Sequence, residues 1–426
     1  MERSVVVICL TFLMSYFMRS KWFKNLILNV ENSKHASSSI NINTPGFRLT
    51  KLIPTQFQSG NSTNLSTLQE TLGSFLRYRD YESNHNDRLM QRLQSLSSSR
   101  IDALSKIGYT NKIAQVQNSI SSNAIVAENI VDYAMKQISL QRQEFPQEIE
   151  SLGRQLSTGC ATEISSVSSN VQRVNEALSH LCRDYNSKFN QREIQPLMEY
   201  ITTVVDSLPN DPNKKTLIVV PGAGAGYIPY KLSQRYPNYI IDSIELSGLM
   251  YMCQDYMLNQ EESKAESIVL RPFAQYYSGQ LNHELQNKEV KLDMAPSEKP
   301  CNLNHLWGDF LEYEPKQGPY DEIIVVTAYF IDTSANMLDY IDKIQNMTRY
   351  LANPSQGIHW INIGPLKYGT QPIVQFTVEE ISKYIALQGW AQDHVEIELD
   401  GNGYLTNVDS LYQGHYGLYK SHTTIT

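Results

Sequence analysis

The sequence contains little cysteine, and none of it is arranged for metal binding. The five cysteines are odd in number, widely separated and never spaced as C-x-x-C. This distribution excludes the usual zinc and dithiol redox motifs, so no metal site is predicted. It indicates reduced thiols, and we therefore expect a cytoplasmic protein, with a nuclear location as the alternative. The cysteines are Cys9, Cys160, Cys182, Cys253 and Cys301.

Clusters of basic residues are also absent. Lysine and arginine total 36 against 44 aspartates and glutamates, which gives a formal net charge of -8 at pH 7. Nucleic-acid binding needs gathered cations to neutralise phosphates, so this composition excludes such a surface. Because 41% of the residues are hydrophobic, the chain can bury a core. We expect a small or locally recognised substrate, and a homodimer is left open.

Long hydrophobic runs are missing as well. The apolar run at residues 5–18 has fourteen residues, whereas a membrane-spanning helix needs about 20. Arg3 stands beside Glu2, and no small-residue cleavage site follows closely, so a signal peptide is not indicated. We expect residues 1–30 to be a non-essential extension, with a membrane anchor as the less favoured alternative.

The next two segments differ in their patterns. Residues 31–67 are rich in Ser, Asn and Thr and poor in large apolar side chains, so we predict a disordered linker. Residues 68–207 contain almost no proline, and their apolar residues recur at intervals of three and four, as in Leu72, Phe75 and Leu76. This periodicity predicts a helical region.

The most informative stretch is residues 216–247. A β-branched apolar run is followed by Gly222, Gly224 and Gly226, and a second apolar run ends at Glu245. This order predicts a strand, a glycine turn, a helix and a strand, with the glycines allowing a ligand to approach the backbone amides. Glu245 lies nineteen residues after Gly226, where such folds present a carboxylate to a ribose diol. The stretch therefore predicts a site for an adenosine-containing cofactor.

The spacing of the glycines distinguishes between cofactors. A dinucleotide fingerprint places its third glycine where this chain has Tyr227. The spacing G-x-G-x-G favours S-adenosylmethionine, which has no pyrophosphate, over a nicotinamide dinucleotide. A merely structural glycine turn is the simpler alternative, and the position of Glu245 argues against it.

Two acidic residues follow predicted strands. Asp309, in the loop after the third strand, can accept a hydrogen bond from an adenine amino group, and Phe310 can lie on the ring. Asp332 follows the strand that begins at Ile323, at the carboxyl end where open α/β sheets bind ligands. The alternative role for Asp332 is a helix cap.

A predicted helix over residues 171–186 carries two more candidates. His180 and Arg183 are three residues apart and therefore share a face. A guanidinium pairs with a carboxylate in a two-pronged geometry, so Arg183 can bind the carboxylate of the cofactor. The alternative is an ordinary solvated polar face.

The remainder of the chain predicts alternating strands and helices. Residues 279–303 have no period and predict an inserted loop. A strand at 394–399, a turn at 400–403 and a last strand near 416–420 predict a terminal antiparallel pair. We therefore predict an α/β fold, a seven-stranded Rossmann-like class I methyltransferase domain at 208–426 that follows the helical region.

Several stretches together resemble the carnosine N-methyltransferase family, also called the N2227-like proteins. The resemblance runs from about residue 70 to the C-terminus, and its most specific part is the pair FIDTxxNxxDYI and WINxGPLxY. The stretches are FLRYRDYESNHNDRL (75–89), CRDY (182–185), VVPGAGAG (219–226), IELS (244–247), GDF (308–310), AYFIDTSANMLDYI (328–341) and WINIGPLKY (360–368).

The resemblance implies an activity and a set of site residues. The activity is methyl transfer from S-adenosylmethionine to an imidazole nitrogen of carnosine or a related histidine-containing dipeptide, giving anserine from carnosine. Asp332 matches the substrate-binding aspartate, which we expect to act in catalysis, and Tyr404 and Tyr412 fall near substrate-contacting tyrosines. The expected cofactor residues are Arg183, Gly222, Glu245, Asp309 and Phe310, with Gly224 and Gly226 from the loop and His180 where the family usually has Gln.

Two positions depart from the family pattern. Gly369 stands where the family typically has a histidine that contacts the imidazole. Gly414 stands where the family has a further tyrosine near the C-terminus. His415 or Tyr416 could fill the gap. A methyltransferase for histidine in a peptide or protein, and a cofactor-binding scaffold without turnover, are therefore the alternative functions.

Overall fold

The computed structural model describes residues 65–139, 150, 168–209, 211, 213–259, 268–294, 296, 298–316, 318–369 and 371–426. The predicted N-terminal extension lies outside these ranges, and so does the predicted linker as far as residue 64. The first helix of the described ranges begins at Leu65, within the predicted linker. No helix in the described ranges is both long and apolar enough to cross a bilayer.

The α-helices are named in chain order. Those before the sheet are α1 (Leu65–Leu93), α2 (Ser98–Lys106), α3 (Tyr109–Ser139), α4 (Ser168–Tyr185), α5 (Ser187–Glu193) and α6 (Gln195–Ser207). Those within the sheet region are α7 (Tyr227–Arg235), α8 (Gly248–Leu258), α9 (His283–Gln286), α10 (Met337–Asn346) and α11 (Val378–Gln388). The described part of residues 68–207 is mostly helical, and the division of the chain at residue 207 stays a prediction.

The N-terminal helices pack on one another through apolar stripes. In α1, Leu72 and Phe75 are three residues apart, so they share one face of the helix, and both are buried. In α3, Ile120 and Ile130 are buried as well. α1 contacts α3 and α4, and α4 contacts α8 beside the sheet. The helices and the sheet therefore share one hydrophobic core.

The strands form a seven-stranded sheet of order β5-β2-β1-β6-β7-β9-β8 and a separate two-stranded pair, β3-β4. In the large sheet β9 is antiparallel to both of its neighbours, and the other pairings are parallel. The strands are β1 (Thr216–Pro221), β2 (Ile240–Glu245), β3 (Val269–Leu270), β4 (Val290–Lys291), β5 (Leu303–Trp307), β6 (Glu322–Ala328), β7 (Ile358–Gly364), β8 (Ala391–Gly403) and β9 (His415–Ile425). This topology is that of a class I methyltransferase, which confirms the predicted fold.

Burial explains why β1 is central. All six of its residues are buried, as its uninterrupted apolar sequence predicts for a parallel strand covered on both faces. Val219 of β1 is level with Asp242 of β2 and Val325 of β6. The carboxyl ends of β1, β2 and β6 therefore meet at one edge, and the glycine turn leaves β1 there.

Two predicted segments differ from the structure. The predicted loop at 279–303 contains α9 and β4, which are too short to produce a detectable period. The predicted turn at 400–403 belongs to β8, whose pairing with β9 is irregular between Glu398 and Asn402. Gly401 takes a φ of +87°, the conformation expected of a turn glycine, but uses it to continue the strand through that irregularity.

Candidate active site

A cavity of about 530 Å³ lies at the carboxyl ends of β1, β2 and β6. Helices α1 and α4 and the segment after β8 close it from the other side. Eight of the predicted site residues line it: His180, Arg183, Gly222, Gly224, Glu245, Asp309, Phe310 and Tyr404. Gly226, Asp332 and Tyr412 do not. The structure therefore brings together residues separated by more than two hundred positions in the chain.

The glycine turn follows backbone rules more than ligand clearance. Gly222, Gly224 and Gly226 have φ values of +64°, +59° and +91°, which other residues rarely adopt. A Cβ at Gly222 would lie 2.4 Å from the Phe330 ring, and one at Gly226 would lie 2.5 Å from the Gln254 side chain. A Cβ at Gly224 would meet nothing within 4 Å. Only Gly224 therefore faces open space on the ligand side.

Glu245 ends β2 and is fixed by main-chain donors. Its Oε2 accepts from the Gly224 N–H at 2.8 Å, and its Oε1 accepts from the Ser247 N–H at 2.7 Å. Burial raises the pKa of Glu245 to about 7. A carboxylate has about four lone-pair sites, so it can accept two more hydrogen bonds from a ribose diol. The sequence analysis assigned the amides of the glycine turn to the ligand, but the Gly224 N–H instead orients this carboxylate.

His180 and Arg183 lie on one face of α4, as predicted, and both contact Tyr404. The His180 Nε2 is 3.1 Å from the Tyr404 hydroxyl, and the Arg183 guanidinium lies 4.5 Å from the centre of the Tyr404 ring. Burial and the charge of Arg183 lower the pKa of His180 to about 3. His180 is therefore neutral, and Arg183 carries the positive charge on this wall.

Asp184, which the sequence reading did not select, completes the amino-acid end of the site. Its Oδ2 accepts from the Tyr227 N–H at 3.3 Å, and its buried Oδ1 has no hydrogen-bond partner. Burial raises the pKa of Asp184 to about 6. The amino-acid end of S-adenosylmethionine carries an ammonium and a carboxylate. An aspartate and an arginine side by side in the cavity fit that pair of charges.

The opposite end of the cavity is aromatic. Asp309 is half-buried, and its Oδ1 accepts from the Leu311 N–H at 2.8 Å. Phe310 meets Phe330 and Tyr340 edge-on at ring-centre distances of 5.8 Å and 6.0 Å. Phe330 and Tyr340 stack at 4.4 Å. A flat adenine ring fits this end, where Asp309 is the available acceptor for its amino group. Phe330 and Tyr340 belong to the FIDT stretch and the helix after it, and their aromatic type was the available signal.

Asp332 lies in a short turn, Ile331–Thr333, directly after β6. It is buried, and its Oδ2 accepts from the Lys367 N–H at 2.7 Å. Burial raises the pKa of Asp332 to about 6. The helix that follows is capped by Asn336, so the alternative role of Asp332 as a cap is wrong. Asp332 stands just outside the cavity, between the lining residues Phe330 and Thr333 in sequence.

Three tyrosines form a cluster at the edge of the cavity, which two of them, Tyr329 and Tyr404, line; we call Tyr329, Tyr404 and Tyr416 the tyrosine wall. The Tyr404 ring lies 5.1 Å from Tyr329 and 6.2 Å from Tyr416. Tyr329 has a φ of +53°, a strained value for a tyrosine, immediately after β6. Tyr416, rather than the exposed His415, joins this wall. Tyr412 is 79% exposed and outside the cavity, so its contact with substrate stays a prediction.

Glu193, at the end of α5, holds the segment that carries Tyr404. Its buried carboxylate accepts from the Leu405 N–H at 2.7 Å and from the Thr406 N–H at 2.9 Å. The same carboxylate is 3.5 Å from the Arg183 Nε. Glu193 therefore links the cofactor arginine to the tyrosine wall. No local pattern marks it in the sequence, because its partners are distant in the chain.

A second cleft, of about 890 Å³, lies between α6 and the β8-β9 pair. It contains His359, His394 and His422 but none of the predicted site residues. The described residues contain no group of three or more His, Cys, Asp or Glu side chains that could hold a metal ion. The chemistry predicted from the sequence therefore belongs to the smaller cavity.

Comparison with known proteins agrees with this geometry. A profile of the family described as carnosine N-methyltransferase matches residues 161–425. An uncharacterized protein of Saccharomyces cerevisiae is 33% identical over 99% of this chain and 97% of its own length. The carnosine N-methyltransferase of Schizosaccharomyces pombe is 25% identical over 74% of this chain and 85% of its own. The rat enzyme of the same name is 26% identical over 58% of this chain and 61% of its own.

Among solved structures, the magnesium protoporphyrin IX methyltransferase of Synechocystis aligns with 59% of this chain and 94% of its own, at 14% identity and a TM-score of 0.31. The family assignment follows from the family profile, from the 33% identity to the Saccharomyces cerevisiae protein over 99% of this chain, and from the site described above. The chain belongs to the carnosine N-methyltransferase family and is a methyltransferase that uses S-adenosylmethionine, built on a class I methyltransferase sheet.

Proposed function

We propose that the chain transfers a methyl group to an imidazole nitrogen of carnosine or a related histidine-containing dipeptide, as in the conversion of carnosine to anserine. The observation that carries this proposal is the buried carboxylate of Asp332, which follows β6 and does not cap a helix. The names of the Schizosaccharomyces pombe and rat relatives support the choice of acceptor.

The bond changes define what the site must do. When bound, S-adenosylmethionine supplies an electrophilic methyl group: the ring-nitrogen lone pair forms the N–C bond while the C–S pair returns to sulfur, leaving S-adenosylhomocysteine. The acceptor ring must therefore be neutral at the attacking nitrogen. The protein has to select that tautomer and hold the ring in line with the methyl group.

In this proposal, Asp332 selects the tautomer. An ionised carboxylate accepts the N–H of the second ring nitrogen, which leaves the lone pair on the first. The same carboxylate stabilises the positive charge that develops on the ring as the new bond forms. The N–H proton then leaves to solvent, which restores a neutral methylated imidazole. The hydrogen bond that Asp332 accepts from the Lys367 N–H keeps the carboxylate in one orientation.

In this proposal, the tyrosine wall excludes water and aligns the ring. Tyr404 lines the cavity, and its hydroxyl is already bonded to the neutral His180. The Tyr329 hydroxyl is held by the Asn402 side-chain amide at 3.2 Å. Rings fixed in this way form an apolar surface against which a flat imidazole can pack.

A second candidate function is the methylation of histidine within a peptide or protein. It is favoured by Gly369, where a Cβ would meet nothing within 4 Å. That open space replaces the family histidine and could admit a larger substrate.

A turnover assay tests the proposal. The full chain is incubated with S-adenosylmethionine and, separately, with carnosine, homocarnosine and short peptides that contain an internal histidine, and products are read by mass. We expect a one-methyl gain on the dipeptides. A gain confined to internal-histidine peptides would favour the second candidate. Binding of S-adenosylhomocysteine without any product would indicate a non-catalytic scaffold and contradict the proposal.

A further inference from the structure

Two cations contact different members of the tyrosine wall. The Arg183 guanidinium lies 4.5 Å from the Tyr404 ring centre and 5.4 Å from that of Tyr329. The Lys367 Nζ donates to the Tyr416 hydroxyl at 2.6 Å and lies 5.0 Å from the Tyr416 ring centre. Two cations in these positions can serve two different anions.

The two cations differ in environment. Arg183 is buried, lines the cofactor cavity and is close to Glu193. Lys367 is exposed, does not line that cavity, and forms no ion pair with a carboxylate in the described part of the chain. The carboxylate of the cofactor is therefore accounted for by Arg183, and the ammonium of Lys367 remains available to a second ligand.

Lys367 is also tied to the proposed acceptor site. Its main-chain N–H donates to Asp332, and its side chain reaches Tyr416, so one residue connects the two groups that would surround the acceptor ring. At Gly369, two residues further on, an added Cβ would meet nothing within 4 Å. An acceptor whose ring meets Asp332 therefore has room to place its remaining atoms toward the Lys367 ammonium.

We propose that Lys367 determines specificity by pairing with the free carboxylate of an acceptor whose terminal residue is histidine. This inference rests on the proposed function. In carnosine the imidazole and the carboxylate belong to the same residue, so Asp332 and Lys367 bind it at two points. A histidine inside a protein has an amide in place of that carboxylate. The substrate class is then histidine with a free carboxylate, not histidine within a chain.

The test compares two acceptors that differ in one charge: carnosine and its C-terminal amide. Both are assayed with the full-length wild-type chain, with Lys367→Met, with Lys367→Arg, and with Lys383→Met, which removes an exposed lysine on α11. A charge-assisted contact predicts that the wild type prefers carnosine by on the order of tenfold in kcat/KM, mainly through KM. Lys367→Met should abolish the preference by raising KM for carnosine. Lys367→Arg and Lys383→Met should keep the preference.

The outcomes separate this inference from the proposed function. Equal turnover of both acceptors by the wild type, or an unchanged preference in Lys367→Met, overturns the role of Lys367 and leaves the proposed function standing. Failure of the wild type to methylate either dipeptide removes the proposed function and this inference together. Because the two acceptors are compared on the same protein, misfolding of a variant cannot imitate the wild-type preference.

Discussion

The cofactor side and the acceptor side of the site are built in different ways. On the cofactor side, Glu245 and Asp184 are carboxylates held by main-chain N–H groups of the glycine turn and of α7. On the acceptor side, the tyrosine wall is made of rings in contact, and Lys367 is exposed. The first arrangement is fixed by the backbone, whereas the second is made by side chains just after β6, β7 and β8 and at the start of β9.

This difference separates cofactor use from acceptor choice. A carboxylate that is oriented by main-chain N–H groups changes its position only if the backbone moves. The backbone at this point continues from the central strands of the sheet, which are closely packed. Side chains on connecting segments can be exchanged without altering the sheet. Cofactor binding should therefore survive substitutions on the acceptor side, and the departures at Gly369 and Gly414 should affect the acceptor alone.

The largest expected effect is on the acceptor side, at Asp332. Asp332→Asn keeps an oxygen for the Lys367 N–H but removes the charge that stabilises the developing imidazolium. We expect kcat with carnosine to fall on the order of a hundredfold. The affinity for S-adenosylhomocysteine, measured by calorimetry, should stay within about twofold, because the two sites contact different groups. Asp342→Asn, on the exposed face of α10, is the control.

A large loss of cofactor affinity in Asp332→Asn would contradict the separation of the two sides. Normal kcat in that variant would instead remove Asp332 from the mechanism.

The next effect is on the cofactor side, at Arg183. Arg183→Met keeps an apolar side chain at this position but loses the guanidinium and its contact with the Tyr404 ring. We expect the dissociation constant for S-adenosylhomocysteine to rise by roughly tenfold or more, the value of a charge-assisted hydrogen bond. Arg349→Met, which breaks an exposed ion pair with Glu314, should leave it unchanged. An unchanged dissociation constant in Arg183→Met would mean that another group holds the cofactor carboxylate.

Glu193 offers a way to break the comparison, since it contacts both sides. Glu193→Gln weakens the hydrogen bonds that Glu193 accepts from the Leu405 and Thr406 N–H groups. It also removes the negative charge beside Arg183. We expect a rise of about fivefold both in the S-adenosylhomocysteine dissociation constant and in KM for carnosine, since charge-assisted bonds become neutral ones. Glu199→Gln, an exposed neighbour on α6, is the matched control.

A purely structural role for Glu193 would lower the unfolding temperature of Glu193→Gln without moving either constant. That result would show that the two sides are independent even at this link.

A smaller effect concerns pH. Burial raises the pKa of Glu245 from 4.5 to about 7. Only the ionised carboxylate accepts from both hydroxyls of a ribose, so affinity for S-adenosylhomocysteine should increase by about threefold from about pH 6 to about pH 8. Glu245→Gln should remove the part of the pH dependence that Glu245 causes, as calorimetry at the two pH values can show.

The same pKa shift has the opposite sign for stability. Between the ordinary pKa and the raised one, the folded chain binds more protons at Glu245 than the unfolded chain does. The contribution of Glu245 to the free energy of unfolding therefore decreases as pH rises through this window, from 4.5 to about 7.

The affinity prediction has its own contradicting outcome. Cofactor affinity that fell with rising pH in the wild type, but not in Glu245→Gln, would contradict the assignment of Glu245 to the ribose hydroxyls.

The smallest expected effect is a gain. Gly369→His places an imidazole in open space where the family has one, and the glycine φ is not in the positive region. We expect kcat/KM for carnosine to rise by about threefold, the value of one added hydrogen bond. Gly73→Ala on α1, where an added Cβ would meet only the end of the Arg77 side chain at 3.4 Å, is the control for the fold. A decrease with carnosine and an unchanged rate with a larger peptide would favour the second candidate function.

The parts of the fold that depend on neighbouring residues were predictable. The glycine turn, the buried β-branched strands and the terminal antiparallel pair follow from local periodicity, and the structure has all of them. The predicted turn at 400–403 was wrong because Gly401 can serve a strand irregularity as well as a turn. Only pairing with β9 decides between the two.

The site was predicted less completely, for a related reason. Glu245 and Arg183 could be named because a strand end and a helix face place them. Asp184 and Glu193 become important only through partners far along the chain, Tyr227 and the segment after β8. The positive φ of Tyr329 depends on its packing after β6 and leaves no trace in residue type.

The most direct test of the account is the position of the transferred methyl group. The full chain is supplied with carnosine and with S-adenosylmethionine whose methyl carries heavy carbon, and the product is examined by nuclear magnetic resonance. We predict a single labelled methyl signal that correlates with imidazole ring protons, and none on the amine or the carboxylate. Label on any other atom of carnosine, or recovery of unlabelled carnosine from a chain that binds S-adenosylhomocysteine, would contradict the account.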